Sequence, residues 1–291
     1  MNVAHAPAEL GGGPRAVALG TFDGVHLGHR RVIETALETG PEPTVVTFDP
    51  HPRTAFGNRV ELLSTLDRRL ELLEGLGVEA VLVVEFTLEL ARLEPEEFAE
   101  QVLRPIGTEV VVAGADFRFG YGRRGDLDLL AGLGFDARPV PILENVSSSR
   151  IRELIRTGDV AAAAELLGRP VEVEGIVVAG EARGGTLGFP TANLDVRPEL
   201  AVPGNGIYAG AAAGHRAAVS IGTNPHYGGV ERRIEAFLLD YSGDLYGRRL
   251  LVELWQRLRD ERSFAGEQEL IAQIARDVEA TRAAQPPVKP S

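Results

Sequence analysis

The chain has 291 residues, a length that favours two domains over one. Its formal net charge of −12 argues against general nucleic-acid binding, because such proteins need a basic surface to neutralise phosphates. It contains no cysteine, which excludes disulfides, thiolate catalysis and cysteine-based zinc sites and is typical of a cytoplasmic protein.

No apolar stretch is long enough to predict a membrane-spanning helix. Residues 1–15 are rich in Ala, Gly and Pro, lack the apolar core of a signal peptide, and are predicted to be a short flexible lead-in. We therefore expect a cytoplasmic protein with no membrane or nucleic-acid partner, and leave self-association open. Lys289 is the only lysine, so phosphate contacts must come from arginine, histidine, backbone amides or metal.

Apolar runs alternate with helical patterns through the first half. The predicted strands are Val17–Leu19, Thr44–Phe48, Ala80–Phe86, Val110–Ala113 and Ala137–Ile142. Helices are predicted from about Leu27, after a cap at Ser64, and from Pro95 to about Leu103. This alternation predicts a parallel sheet covered on both faces, with ligands bound past the carboxyl ends of its strands.

The first predicted strand runs into the sequence Gly20-Thr21-Phe22-Asp23-Gly24-Val25-His26-Leu27-Gly28-His29. Its glycines allow a sharp turn, and the amides at the start of the following helix favour an anion. His26 and His29 lie on one face of the first helical turn. The order Gly-x-Phe-Asp-Gly-x-His-x-Gly-His resembles the signature of the HxGH nucleotidyltransferases.

Two further loops are predicted at the same edge of the sheet. Residues 49–53 contain two prolines, which argues against regular structure, and place His51 as a positioned loop residue rather than a metal ligand. Residues 114–125 contain Asp116 and Arg118, which fit either a plain packed turn or a ligand loop.

Residues 147–167 are predicted to form two short helices. Ser148, Ser149 and Arg152 at the start of the first fit either an ordinary cap with a solvated face or a second anion site. Gly168 is followed by Arg169 and Pro170, so we place a domain boundary there, giving domains 1–168 and 169–291.

After residue 170 the hydrophobic pattern changes: short strand-like runs are separated by Gly and Asp turns, and a helical pattern follows them. This predicts a small antiparallel β-barrel with a closing helix. Its predicted strands are Val171–Val178, Ile207–Ala212, Ala217–Ile221, Ile234–Leu239 and Leu250–Trp255, and the helix spans Gly266–Arg282. The fold class is therefore α/β plus β.

A second motif, residues 184–193, reads Gly-Gly-Thr-Leu-Gly-Phe-Pro-Thr-Ala-Asn. It fits either a glycine-rich hairpin or a phosphate loop in which Thr191 and Asn193 face a metal-bound nucleotide; such oxygen ligands suit Mg²⁺. Glu235 shares a strand face with Arg233 and Phe237, and is either solvent-facing or a general base.

Taken together, residues 15–282 resemble the prokaryotic bifunctional riboflavin kinase/FAD synthetase (FMN adenylyltransferase) family. The resemblance implies a Rossmann-like nucleotidyltransferase domain that adenylylates FMN to FAD with ATP and releases pyrophosphate. It also implies a riboflavin kinase barrel that phosphorylates riboflavin to FMN with ATP and Mg²⁺.

The resemblance also implies residue roles. Catalysis would involve His26, His29 and Glu235. In the first domain, ATP would contact Gly20, Phe22, Asp23, Gly24, His26, His29, Asp116, Ser148, Ser149 and Arg152. In the barrel, ATP and Mg²⁺ would contact Gly184, Thr186, Gly188, Pro190, Thr191 and Asn193, with Thr191 and Asn193 as metal ligands. Flavin would contact His51, Phe56, Arg118, Arg259, Glu261 and Phe264.

Two alternatives stay open at this stage. Gly185 stands where the family often carries Arg or Lys, which is compatible with a single-function FMN adenylyltransferase whose barrel only binds flavin. The second alternative is a non-catalytic regulatory protein that binds flavin or nucleotide. Both histidines and Glu235 are present, which argues against it.

Overall fold

The computed structural model describes residues 1–40, 42–180, 189–226 and 229–287, with only the backbone described for residues 224–226 and 229–231. The chain divides into two compact units, Met1–Ser148 and Ser149–Ser291. Each unit has its own sheet, one open and parallel and the other closed and antiparallel. The predicted fold class, α/β plus β, is confirmed.

The first unit is built on a six-stranded parallel sheet with the order β1-β4-β3-β2-β5-β6. Its strands are β1 Asn2–Ala4, β2 Arg15–Leu19, β3 Thr44–Asp49, β4 Ala80–Glu85, β5 Thr108–Gly114 and β6 Asp136–Val140. Alternate residues of a strand face two separate cores: Val17 and Leu19 lie in one, Ala16 and Ala18 in the other. Burial on both faces explains why the inner strands, such as β2 and β3, have almost continuously apolar, buried residues, whereas the edge strand β6 is largely exposed.

Helices cover the two faces of this sheet. They are α1 Leu27–Thr39 and α3 Leu66–Glu74 in one core, and α4 Pro95–Phe98 and α5 Leu127–Gly132 in the other, while the short α2 Pro52–Ala55 buries no residue. A π-helical stretch, Ala99–Leu103, continues α4, so the helix predicted from Pro95 to Leu103 is confirmed in extent.

The predicted flexible lead-in is wrong. Asn2–Ala4 forms β1 at the edge of the sheet and pairs in parallel with Ala80–Leu82 of β4. Ala4 and Leu10 are buried in the core. The composition of residues 1–15 gave no sign of this strand, because its only partner lies more than seventy residues away.

Two local predictions are also corrected. Thr65, not Ser64, caps α3, since its side chain accepts a hydrogen bond from Arg68 N. The two prolines do not prevent helix formation, because Pro52 occupies the first turn of α2, where its missing N–H costs nothing. His51 caps this short helix by accepting from Arg53 N through Nδ1 at 3.2 Å.

The second unit is a closed antiparallel barrel with the strand order β10-β11-β8-β7-β12-β9. Its strands are β7 Val171–Val178, β8 Ala192–Asp195, β9 Gly206–Ala212, β10 His215–His226, β11 Gly229–Leu238 and β12 Arg249–Arg259. The sequence predicted five of them and missed β8. Its four residues follow a segment rich in Gly, Pro and Thr, which indicated a loop.

Among the described residues, the helices of this part of the chain are α6 Ser148–Thr157, α7 Val160–Leu167 and α8 Glu267–Ala283. α7 contacts β7 and β12, which explains why the compact units divide at Ser148. This is earlier than the boundary proposed after Gly168, which stays a prediction. The closing helix predicted at 266–282 is confirmed as α8.

Candidate functional site

A cavity of about 730 Å³ lies at the carboxyl ends of the parallel strands. Loops after β2, β3 and β5 line it, as the sheet topology predicts. The predicted site residues that line this cavity are Gly20, Phe22, His26, His29, His51, Phe56, Asp116, Arg118 and Ser148. Asp23 and Gly24, also predicted to contact ATP, are not among its lining residues.

The two histidines are stacked, with ring centroids 3.6 Å apart and planes inclined by 16°. His26 caps α1: its Nδ1 accepts a hydrogen bond from His29 N at 3.2 Å. In neutral His26, therefore, the proton is on Nε2, which makes that atom a donor. A Cβ on Gly28 would lie 3.2 Å from the His26 ring, so this glycine makes room for the ring.

The backbone before α1 adopts conformations that side chains disfavour. Phe22, Gly24 and Val25 have φ values of 48°, 78° and 39°. A positive φ is unusual for a β-branched valine and persists only where the surroundings hold it. Phe22 packs on Gly20, where a Cβ would lie 3.0 Å from its ring. The tight turn thus depends on contacts outside the motif.

The segment Leu63–Ser64 supplies several of these contacts and was missed by sequence reasoning. Asp23 is fully buried, and its Oδ1 accepts hydrogen bonds from Leu63 N at 2.9 Å and Ser64 N at 3.3 Å. Gly24 N donates to Ser64 Oγ at 3.2 Å. Asp23 therefore ties its loop to the backbone of the segment Leu63–Ser64. From the sequence, Ser64 was interpreted as a helix cap, so its contact with Gly24 was not predicted.

Ser148, the last residue of the first compact unit, contacts the same loop. Its hydroxyl donates to the carbonyl oxygen of Asp23 at 3.3 Å, and the residue lines the cavity. Ser149 and Arg152 follow in α6 but belong to the second compact unit. Arg152 is 9% exposed. Their contacts with a nucleotide stay a prediction.

A second cavity, of about 310 Å³, lies in the barrel unit. The predicted residues that line it are Thr191, Asn193, Glu235, Arg259, Glu261 and Phe264. Asn193 on β8 and Glu235 on β11 are direct register partners, so adjacent antiparallel strands bring these side chains together. Thr191, two residues before Asn193, also lines the cavity.

Ion pairs orient two groups at this cavity. Arg233 Nε lies 2.6 Å from Glu235 Oε1, confirming that these two residues share a strand face. Arg259 binds Asp277 of α8 through both its Nε and Nη2, at 3.0 Å and 2.7 Å. Arg259 is thus engaged with the closing helix while it lines the cavity.

Of the remaining predicted kinase residues, only Pro190 is described by the structure. Pro190 is exposed and is not among the cavity-lining residues, whereas Gly184, Thr186 and Gly188 lie outside the described residues. Gly180 was missed by the sequence analysis: a Cβ there would overlap the side-chain amide of Asn193. A glycine preceding the motif therefore leaves space for one of its key groups.

No helix within residues 1–40, 42–180, 189–226 and 229–287 is both long and apolar enough to cross a membrane. Across those same residues there is no group of three or more His, Cys, Asp or Glu side chains that could hold a metal ion.

Comparison with known proteins matches each unit to a separate family. The FAD synthetase family model matches residues 12–150, and the riboflavin kinase family model matches residues 167–285. The bifunctional riboflavin kinase/FMN adenylyltransferase of Bacillus subtilis is 37% identical, over 90% of this chain and 89% of its own length. The chain belongs to the bifunctional riboflavin kinase/FMN adenylyltransferase family.

Other members and one solved structure are similar over the same extent. The Escherichia coli K12 member of this family is 36% identical over 95% of this chain and 93% of its own length. A crystal structure titled as a macrolide-efflux protein from Streptococcus pneumoniae matches with a TM-score of 0.88 and 30% identity. It covers 96% of this chain and 98% of that one.

Proposed function

We infer that this chain phosphorylates riboflavin to FMN and adenylylates FMN to FAD, using ATP in both reactions. This inference depends on one observation: the residues matched by each family model include a separate cavity. The FAD synthetase match contains the cavity with both histidines, and the riboflavin kinase match contains the cavity with Asn193 and Glu235. The efflux named in the pneumococcal title is not transferred to this chain, because both family models describe flavin enzymes.

In the α/β unit we propose that a phosphate oxygen of FMN attacks the α-phosphorus of ATP. The new P–O bond forms as the bond to the β-phosphate oxygen breaks, and pyrophosphate leaves. The attacking group is already an anion, so the protein need supply only position and charge stabilisation. His26 Nε2–H and the neighbouring His29 are the proposed donors to the phosphate oxygens in the transition state.

The same cavity has apolar walls suited to a flavin ring. Phe56 is 59% exposed at its edge and Phe86 and Phe117 also line it. Large exposed aromatics beside a cavity are typical of ligand sites. This supports the proposed flavin contacts of His51, Phe56 and Arg118.

In the barrel, the 5′-hydroxyl of riboflavin is proposed to attack the γ-phosphorus of ATP. The hydroxyl proton passes to Glu235, the P–O bond to ADP breaks, and ADP leaves. Arg233 holds the Glu235 carboxylate beside Asn193, where it can reach a substrate hydroxyl.

The donor set of the barrel cavity fits Mg²⁺. A hydroxyl from Thr191 and an amide oxygen from Asn193 are hard oxygen ligands, and phosphate oxygens of ATP would complete the set. When bound, Mg²⁺ would neutralise charge on the phosphates of ATP. The use of ATP by both reactions, with the absence of cysteine, supports the cytoplasm as the compartment.

The deciding experiment supplies the full chain with riboflavin, ATP and Mg²⁺ and separates FMN, FAD and pyrophosphate. The two-site proposal expects both flavin products. His29→Ala should lower FMN adenylylation by about 100-fold or more, since it removes a transition-state donor, and leave riboflavin phosphorylation within about 2-fold.

Each rival predicts a different outcome. FAD from supplied FMN, with no FMN from riboflavin, would indicate the single-function adenylyltransferase. Tight flavin binding without release of pyrophosphate or ADP would indicate the regulatory protein. Loss of both activities in folded His29→Ala would contradict two independent sites.

A further inference from the structure

Arg69 of α3 is a buried cation behind the cavity of the α/β unit. Its side chain is only 1% exposed. Among the described residues it is the largest of the fully buried side chains. Its helix has an otherwise ordinary amphipathic pattern, in which the neighbouring Arg68 pairs with Glu71. Burying a guanidinium is costly unless it is hydrogen-bonded and its charge is balanced. The contacts of Arg69 show what it is placed to do.

Arg69 donates into a hydrogen-bond relay that reaches the loop between β2 and α1. Its Nη1 lies 3.3 Å from Thr47 Oγ1, and that hydroxyl lies 3.0 Å from the carbonyl oxygen of Thr21. A guanidinium can only donate, so Thr47 must accept from it and direct its own proton at Thr21. The side chain of Arg69 thereby fixes the backbone immediately before the strained residues of the loop.

The same nitrogen also holds the second loop. Nη1 of Arg69 donates to the carbonyl oxygen of Phe48 at 2.9 Å, at the end of β3. The next residue, Asp49, leads directly into the loop that carries His51. Arg69 is therefore linked through Thr47 to the base of one cavity-lining loop, and through Phe48 to the base of another.

The positive charge of Arg69 is offset by two nearby carboxylates. Burial lowers the pKa of Arg69 from its ordinary value, while the nearby carboxylates of Asp23 and Asp49 act in the opposite direction. Arginine keeps its proton in proteins, so Arg69 is a fixed positive charge near Asp23 of the first loop and near Asp49 at the end of β3. Asp23 is fully buried and needs such a counter-charge.

We propose that Arg69 is a positioning residue for FMN adenylylation. Its hydrogen bonds fix the position of the loop that carries His26 relative to the loop that carries His51. The proposal rests on the adenylylation function proposed above. Arg69 is not among the residues that line the cavity, so its effect comes through the geometry of the residues that are. A displacement of about 1 Å in reacting groups can cost about 100-fold in rate.

The test compares five variants of the full chain in FMN adenylylation. Arg69→Met removes the charge and the donors, and should lower kcat/KM by about 100-fold, mainly through kcat. Arg69→Lys keeps the charge but not the planar fork, and should lose about 10-fold. Thr47→Val breaks the relay without removing the cation, and should also lose about 10-fold.

Arg68→Met is the matched control, since it removes a charge from the same helix at a site that pairs with Glu71. It should stay within about 2-fold of wild type. Riboflavin phosphorylation by each variant provides a second control, because the barrel lies in the other compact unit. The double variant Arg69→Met/Thr47→Val should be no worse than Arg69→Met, as expected for members of one relay.

Three outcomes overturn the inference. The first is folded Arg69→Met that retains adenylylation within about 2-fold. The second is additive loss in the double variant. The third is loss in all variants that merely follows the unfolded fraction seen by circular dichroism, with kcat per folded molecule unchanged. If Arg69→Met does not fold, Thr47→Val still decides. A wild-type chain that makes no FAD from FMN would instead refute the proposed function.

Discussion

In the barrel, Asn193 and Glu235 are register partners on β8 and β11, so the strand ladder itself fixes their separation. In the α/β unit, His26 caps α1 and His29 lies in its first turn, and the turn that leads to them has positive φ values at Phe22, Gly24 and Val25. The first arrangement draws its precision from regular backbone hydrogen bonds. The second needs side chains to hold an irregular backbone.

The supporting side chains of the loop site are buried and polar. Asp23, Ser64 and Arg69 are each less than 5% exposed, and all three bind backbone or side-chain atoms of the loops. Buried polar networks of this kind favour one geometry because breaking any member leaves an unsatisfied group. We therefore expect adenylylation to be sensitive to residues away from substrate, and phosphorylation to depend chiefly on the side chains that meet it.

The largest expected effect in the barrel comes from Glu235→Gln. Loss of a general base removes the acceptor for the riboflavin hydroxyl proton and should lower riboflavin phosphorylation by about 1,000-fold. The amide keeps the size of the side chain, so the barrel should remain folded. Initial rates of ADP release with riboflavin and Mg²⁺-ATP measure the effect.

Asn193→Asp serves as a comparison at the paired position, because it changes the charge of the proposed metal ligand and leaves the base in place. Retention of wild-type phosphorylation by Glu235→Gln would eliminate Glu235 as the base. Adenylylation of supplied FMN should be unchanged in either variant.

An intermediate effect is expected from Gly28→Ala. The new methyl group would lie 3.2 Å from Cε1 and 3.3 Å from Nδ1 of His26, so the ring must move by a few tenths of an ångström. We expect about a 10-fold loss of FMN adenylylation, because displaced catalytic groups lose rate steeply. Alanine favours a helix over glycine by about 1 kcal/mol, so the thermal midpoint should not fall.

Gly132→Ala in α5 is the matched control, since a Cβ there meets nothing within 4 Å. It gains the same helix propensity without touching the histidines, and its adenylylation should equal that of wild type. Equal activity in the two variants would mean that the position of the His26 ring does not limit the rate of adenylylation. The proposed difference between the loop site of the α/β unit and the strand site of the barrel would then lose its main support.

The sequence allowed the sheet and most of the barrel to be predicted, because continuous apolar runs and alternating patterns are local signals. It also located the loops that line the cavity of the α/β unit, since parallel strands bring their carboxyl ends to one edge. β1 could not be found, because three residues carry too little pattern and pair with a distant strand. β8 was hidden by the turn residues before it.

The supports of the loop site were beyond sequence reasoning for a different reason. Arg69 occupies a helix in which charged residues normally face solvent, and its burial depends on where α3 packs against β3. Ser64 stands where a helix cap is expected, yet it binds Gly24, forty residues earlier. Such roles depend on tertiary contacts, so the motif could be predicted while the residues that hold it could not.

The smallest expected effect tests the other side of the comparison. Asp240 and Arg282 form an exposed pair in the barrel unit, with Nη1 and Nη2 of the arginine 2.8 Å and 2.9 Å from the carboxylate. The hydrogen bonds from Arg282 lower the pKa of Asp240, and the charge of His215 adds to this. The pair therefore stabilises the fold above the ordinary carboxyl pKa, and that contribution is lost as pH falls through the lowered value. Solvent screening keeps it small, so Asp240→Asn should shift the thermal midpoint by less than about 2 °C at neutral pH and by nothing at strongly acidic pH.

Both activities of Asp240→Asn should stay at wild-type levels. A clear loss of riboflavin phosphorylation would show that polar side chains remote from the barrel cavity also set its geometry, and that strand register alone does not.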